Sequence, residues 1–193
     1  MTTGNLRDRI FEAAEDLYLR EGPEALSMRR VAEAVGVSAP AIYRYFENKE
    51  ELLNEIVMHG LKILESYMEP ALAADTPFEV LTRVIEQYLE FGLAQPRYFD
   101  FAFLAPSRDI SIAGDNVTQH NWSTFKQVRD TVAACIEEGT LREGSPMEVA
   151  ITIWGEVHGL MILWRTGRLG PDEALFRKTY HNCVQRMFAG LKA

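Results

Sequence analysis

Tyr43 and Arg44 sit inside a short apolar stretch in which Ile42 and Phe46 stand four residues apart. On a helix that spacing puts Ile42 and Phe46 on one face and turns the tyrosine and the guanidinium to another. A helix that only has to be buried gains little by exposing such groups. One lying in a duplex groove uses them on phosphates, base edges and thymine methyls. The local charge has the required sign. From Ser27 to Lys49 the basic residues Arg29, Arg30, Arg44 and Lys49 outnumber Glu33 and Glu47, so this window is cationic in a chain of net charge −8. A small cationic face on an acidic body attracts a phosphate backbone there and repels it elsewhere, which excludes a protein that coats nucleic acid over a broad surface.

Caps and breakers define the elements that must carry these residues. Asn5 caps a first helix whose apolar positions Leu6, Ile10, Ala13, Ala14 and Leu17 follow helical spacing, and Gly22-Pro23 stops it. Ser27 caps a short second helix with Val31, Ala34 and Val35 expected to face inward, and Gly36 supplies the left-handed residue that ends it. Ser38 opens a third helix running to Phe46, with Pro40 in its first turn, where a missing N–H costs nothing. Two short helices joined at Gly36, with the small Ala32 at their crossing, have helix-turn-helix spacing. Asn48 and Glu51 have capping-box spacing, so a fourth helix begins at Lys49 and runs to Glu69-Pro70.

Read together, Ala32-x3-Gly36-Val37-Ser38-x3-Ile42-Tyr43-x-Tyr45-Phe46-x2-Lys49-Glu50-x-Leu52 resembles the N-terminal signature of the tetracycline-repressor (TetR) family. The detailed likeness covers roughly residues 6 to 60. Trp154, His158 and Gly159 also resemble the W-x3-HG pattern of one C-terminal subgroup. The resemblance implies a homodimeric transcriptional regulator, usually a repressor, with a three-helix DNA-binding domain over residues 1–48 and a helical ligand-binding and dimerisation domain over 49–193. It implies that Ser38, Ala39 and Pro40 approach base edges and that Tyr43 and Tyr45 contact phosphates and thymine methyls. Lys49 would clamp phosphate together with its helix's N-terminal amides, and Ser27 would bond phosphate from its cap position. Arg29 and Arg44 would join by charge, whereas Arg30 reads as a solvated or salt-bridged residue. Ala39-Pro40 departs from the polar or glycine residues common there, which shifts base readout toward apolar contacts and DNA shape.

Beyond the motif the pattern stays helical, over Pro77 to Ala94, Pro96 to Leu104, Val117 to Glu138, Pro146 to Arg165 and Asp172 to Leu191, with an irregular stretch around Pro106 to Gly114. No strand alternation or internal repeat interrupts it. The expected fold is all-α, with about nine helices: a three-helix N-terminal domain and a C-terminal bundle. The body is rich in large side chains, most of which must be core. An apolar cavity among them would be lined by Tyr67, Phe91, Phe103, Trp122, Phe125, Trp154 and His158, with His158 and Glu156 as candidate polar anchors. His158 reads first as a hydrogen-bonded core histidine and second as such an anchor. Gly155 and Gly159 each cost roughly 1 kcal/mol against alanine in a helix interior. Close approach of another helix would offset that cost, so these glycines with Val184 and Met187 are expected to build a homodimer interface.

Composition closes off other classes. With 193 residues, 47% hydrophobic and 25% charged, the chain can bury a full core, which excludes disorder and disulfide-dense miniproteins. No apolar run is expected to reach the roughly 18 residues of a membrane span. The two cysteines, Cys135 and Cys183, read as small core residues of a reducing compartment, so a cytoplasmic protein without membrane association is expected. His59, His120, His158 and His181 are scattered, and neither a metal-spaced cluster nor a nucleophile elbow nor a phosphate loop is present. The reading is therefore a regulator and not an enzyme, without metal or cofactor, whose partners are a palindromic DNA operator, a small, largely apolar effector and a second copy of the chain. The alternative is a helical ligand- or partner-binding module without operator binding.

Overall fold

The structure is a computed structural model in which residues 5–104 and 123–193 are described. Among these residues there are nine α-helices: α1 (Leu6–Glu21), α2 (Met28–Val35), α3 (Ala39–Ile42), α4 (Lys49–Met68), α5 (Pro77–Ala94), α6 (Pro96–Leu104), α7 (Ser123–Glu137), α8 (Pro146–Arg165) and α9 (Glu173–Leu191). Short 3₁₀ turns cover Pro23–Ala25 and Glu69–Ala73, the second of which the helical spacing does not anticipate. The one antiparallel bridge among the described residues, Leu141 with Lys192, belongs to no strand. The fold is all-α.

Local chemistry sets the helix ends. Asn5 accepts the Asp8 N–H at 3.1 Å while Asp8 accepts the Asn5 N–H at 3.2 Å, a reciprocal box that begins α1. Ser27 accepts the Arg30 N–H at the start of α2. At its end Gly36 adopts φ 77, ψ 35, and the N–H groups of Gly36 and Val37 close back onto Glu33 and Ala32. Asn48 accepts the Glu51 N–H at 2.9 Å, but the Glu51 carboxylate takes the N–H of Glu47.

The described residues gather into two compact units. The first holds α1 to α3, α4 up to Lys62, and α6; the second holds Ile63–Pro96 and α7 to α9. In the first, Ile10, Ala14 and Leu17 of α1 bury against Val31, Ala32 and Val35 of α2, and Ile42, Phe46, Leu52 and Ile56 complete the core. Ala34, expected inside, is exposed. The buried stripe of α2 is Met28, Val31, Ala32 and Val35, and Ala34 falls off it because each residue advances the helix by about 100°. The helix at Ser38 is also shorter than expected. Its α-helical residues end at Ile42, and Tyr43 to Tyr45 form a turn that closes when the N–H groups of Tyr45 and Phe46 both donate to the Ile42 carbonyl. Ser38 occupies the cap position without a side-chain cap bond.

In the second unit α5 packs on α7 and α8, α7 on α8, and α8 on α9. Tyr180 of α9 donates to the Ile85 carbonyl at 2.9 Å, and the Arg177 fork on Glu90 holds that carboxyl below the usual carboxylate range. Cys135 is fully buried, but Cys183 is only half-buried. By length and composition alone α8 could cross a membrane, contrary to the expectation that no apolar run comes near that length. Glu148 and Glu156 lie within it, and its apolar 18-residue window is only 28% buried within the chain. Residues 117–122 of the expected Val117 helix, and 105–116 of the segment from Phe101 to Asn116, lie outside the described residues.

Candidate nucleic-acid interface

The turn after α3 is built so that its ends are inside and its middle is outside. Ile42 and Phe46 are completely buried, while Tyr43 is 53% and Tyr45 37% exposed. Large aromatic side chains normally gain about 1.5–3 kcal/mol from burial, a gain that these two forgo beside a fully buried anchor pair. Ser38, Pro40 and Arg44 are exposed beside them, and Ala39 is half-buried. No ion pair among the described residues engages Arg44. Lys49 is the first residue of α4 and half-buried.

The remaining basic residues divide by partner. Arg29 is 84% exposed and pairs with Glu33 at 3.0 Å one turn along α2, an exposed pair that solvent screens. Arg30 donates to the Ala25 carbonyl and to both Glu21 oxygens, which makes it a structural brace, as its sequence context suggests. The Ser27 oxygen already accepts from Arg30, which leaves its O–H as the group that could meet a phosphate.

The expected pocket residues do not form one cluster. Phe125, Trp154 and His158 come together, with ring centroids 5.9 Å apart for the first pair and 5.3 Å for the second. Tyr88 completes the group with its hydroxyl 2.7 Å from His158 Nδ1. Burial pushes the Tyr88 hydroxyl far above its ordinary value and lowers that of His158, which favours the neutral form of each. Tyr67 and Phe91 form a separate edge-to-face pair at 5.7 Å. Phe103 packs on Phe99 within α6, in the first unit, and Trp122 lies outside the described residues. Glu156 does not join His158. It lines an open groove between α8 and α9 with Thr152, Cys183, Arg186 and Met187, two residues around the helix from the histidine. The sequence reading missed Tyr88 and this groove. Tyr88 sits on the apolar stripe of α5, and only its partner 70 residues away distinguishes it from a core aromatic.

Of the expected interface residues, Gly155 is exposed while Gly159, Val184 and Met187 are half-buried. Among the described residues, a Cβ at either glycine would meet nothing within 4 Å. No described helix therefore explains them.

Residues 10–56 match the family model of bacterial regulatory proteins, tetR family, and residues 81–187 match that of the tetracyclin repressor-like C-terminal domain. An HTH-type transcriptional regulator of Haemophilus influenzae is 35% identical over 74 residues, 38% of this chain and 40% of the relative. The chain spans about half the length of the curated relatives it matches. A Rhodococcus protein of unknown function superposes with TM-score 0.81 at 21% identity, over 98% of this chain and 97% of the other. The TetR family transcriptional regulator PfmR from Thermus thermophilus does so with TM-score 0.65 at 25% identity, over 96% and 97%. An exposed aromatic turn beside a left-handed glycine, in a chain that matches both the N-terminal and the C-terminal models, has one family reading: the chain belongs to the TetR family of bacterial regulatory proteins.

Proposed function

We propose that the protein is a ligand-responsive, DNA-binding transcriptional regulator, acting as a homodimeric repressor in the cytoplasm. Residues 1–48 bind the operator, and 49–193 bind the effector and the second copy. The observation that supports this most directly is the exposure of Tyr43, Tyr45 and Arg44 on a turn whose flanking Ile42 and Phe46 are buried. Ser38, Ala39 and Pro40 approach base edges. Tyr43 and Tyr45 meet phosphates and thymine methyls, and Lys49, with the first amides of α4, clamps a phosphate. Arg29, Arg44 and Ser27 add backbone contacts. Because Ala39 and Pro40 bring no side-chain donors, part of the specificity comes from DNA shape.

Two copies present their recognition helices about 34 Å apart, one turn of duplex, so the operator is palindromic. An apolar effector bound among Phe125, Trp154 and His158 prefers a different spacing and shifts the population away from the DNA-competent state. The 20-residue helix α4 carries Lys49 at its first residue and Met68 at its last, and it transmits that change.

Selection from a random duplex pool, followed by gel shift of the enriched sequence against a scrambled one, tests the reading. A palindrome with half-sites one duplex turn apart is expected. Enrichment of no sequence over the starting pool would remove operator binding and leave the helical ligand-binding module.

A further inference from the structure

Arg7 of α1 makes contacts that the DNA-facing residues do not account for. Its guanidinium carbon lies 4.9 Å from the centroid of the Phe46 ring. Its terminal nitrogens clasp Glu55 of α4 as a fork, Nη1 to Oε1 at 2.8 Å and Nη2 to Oε2 at 2.6 Å. Phe46 is the buried residue whose N–H closes the turn onto Ile42, and Tyr43 and Tyr45 ride on that turn. The same guanidinium thus ties the last residue of the turn and the body of α4 to the scaffolding helix. Arg9, two residues on, donates to the Val35 carbonyl at 2.9 Å, just before Gly36. From α1, two arginines hold the helix-turn-helix on either side: one before its turn, one after its recognition segment.

A phosphate-binding role suits Arg7 poorly. Both terminal nitrogens are engaged by a carboxylate, and Asp8 and Glu51 add negative field around it. A phosphate arriving there would have to displace Glu55 and face its charge. Lysine could not replace it, because an ammonium neither forks a carboxylate nor stacks its plane on an aromatic ring.

Resting on the DNA-binding reading above, we propose that Arg7 is a positioning residue: without touching DNA it fixes, through Phe46 and Glu55, the angle at which Tyr43 and Tyr45 are presented. Its loss lowers the fraction of molecules whose recognition segment is competent, and apparent affinity falls by that fraction.

Arg7→Ala and Arg7→Lys, each titrated with the duplex selected by the unsubstituted protein and with a scrambled duplex over a range of salt, test this. Both variants should bind the selected duplex about five- to thirtyfold more weakly, the range implied by losing an exposed fork and a ring contact. The scrambled duplex should be affected far less, and the salt slope should be unchanged. Hydrogen exchange at the Tyr45 and Phe46 amides should quicken in both variants while the melting temperature stays within a few degrees. A salt slope lower by about one in Arg7→Ala, restored by Arg7→Lys, would make Arg7 a phosphate ligand and overturn the proposal. Equal losses on both duplexes with a matching fall in melting temperature would reduce it to a stability residue and overturn it too. If the unsubstituted protein selects no duplex, the DNA-binding reading is what fails, and unchanged exchange at Tyr45 and Phe46 would then dispose of the positioning role separately.

Discussion

The Tyr88 hydroxyl and Nδ1 of His158 are hydrogen-bonded at 2.7 Å, which ties α5 to α8 through two buried polar groups. Burial disfavours the charged form of each, raising the phenol and lowering the imidazole. Trp154 stands one turn before His158 on α8, its ring centroid 5.3 Å from the imidazole.

The burial of His158 sets a pH dependence. Burial lowers the His158 value in the folded protein below the roughly 6.5 of an unfolded chain, so between those two values the unfolded state binds more protons. Stability should then rise with pH across that window and fall as pH drops below about 6.5, by no more than ~1.4 kcal/mol per pH unit from this one group. Urea midpoints from pH 8 to pH 5 should fall more steeply in the unsubstituted protein than in His158→Gln, which can accept from Tyr88 but takes up no proton. Parallel curves would remove His158 as their cause.

Gly36 stands at φ 77, a region an L side chain enters at a cost of roughly 1–2 kcal/mol. A Cβ there would meet nothing within 4 Å among the described residues, so the cost of Gly36→Ala is that of the backbone conformation. Gly36→Asn should lose clearly less, because its short amide can bond locally in the left-handed region. Chemical denaturation of the two variants separates them, and equal losses would mean that the motif's turn does not hold this geometry in solution.

The helix boundaries were legible because neighbours set them: Asn5, Ser27 and Gly36 act within four residues of themselves, and Pro77 and Pro146 stand where a helix can begin. The exposed turn was legible for the same reason, since Ile42 and Phe46 mark the buried side whether the bonds between them are α-helical or not. What escaped depended on partners distant in the chain. Ala32 and Ala34 are equally apolar, and the packing of α1 on α2 is what buries one and leaves the other outside. Arg7 reads as one surface cation among many until Glu55, 48 residues on, accepts its fork. The body aromatics were countable, but which rings meet is decided by how α5, α7 and α8 pack, and that carries no local signal.

Lys49 and Tyr43 should separate affinity from specificity. Lys49→Ala removes one cation from the start of α4, so binding should weaken on the selected and scrambled duplexes alike and the salt slope should fall by about one. Tyr43→Ala removes an uncharged ring, so the slope should hold while discrimination between the duplexes narrows. Fluorescence anisotropy at several salt concentrations reads both quantities. A Tyr43→Ala loss of equal size on both duplexes would mean that the ring meets only backbone.

Ile151, Gly155, Gly159 and Leu163 follow one another at four-residue spacing along α8, and the two outer members are each 39% exposed. Flanking large apolar groups and two absent side chains make a shallow trough, and a Cβ at either glycine would touch nothing among the described residues. The roughly 1 kcal/mol that each glycine costs a helix is thus recovered, on the dimer reading, only when a second copy lays a helix into the trough. Cys183, Met187 and Leu191 continue the apolar surface on α9, and Glu156 with Arg186 in the same groove gives two copies complementary charges to exchange. Gly159→Leu should fill the trough, its Cβ meeting nothing among the described residues. Sedimentation should then show a larger monomer fraction, while the monomer melts no lower than before because leucine is the better helix former. An unchanged dimer would mean that the two copies meet elsewhere, and the glycines would lose their explanation.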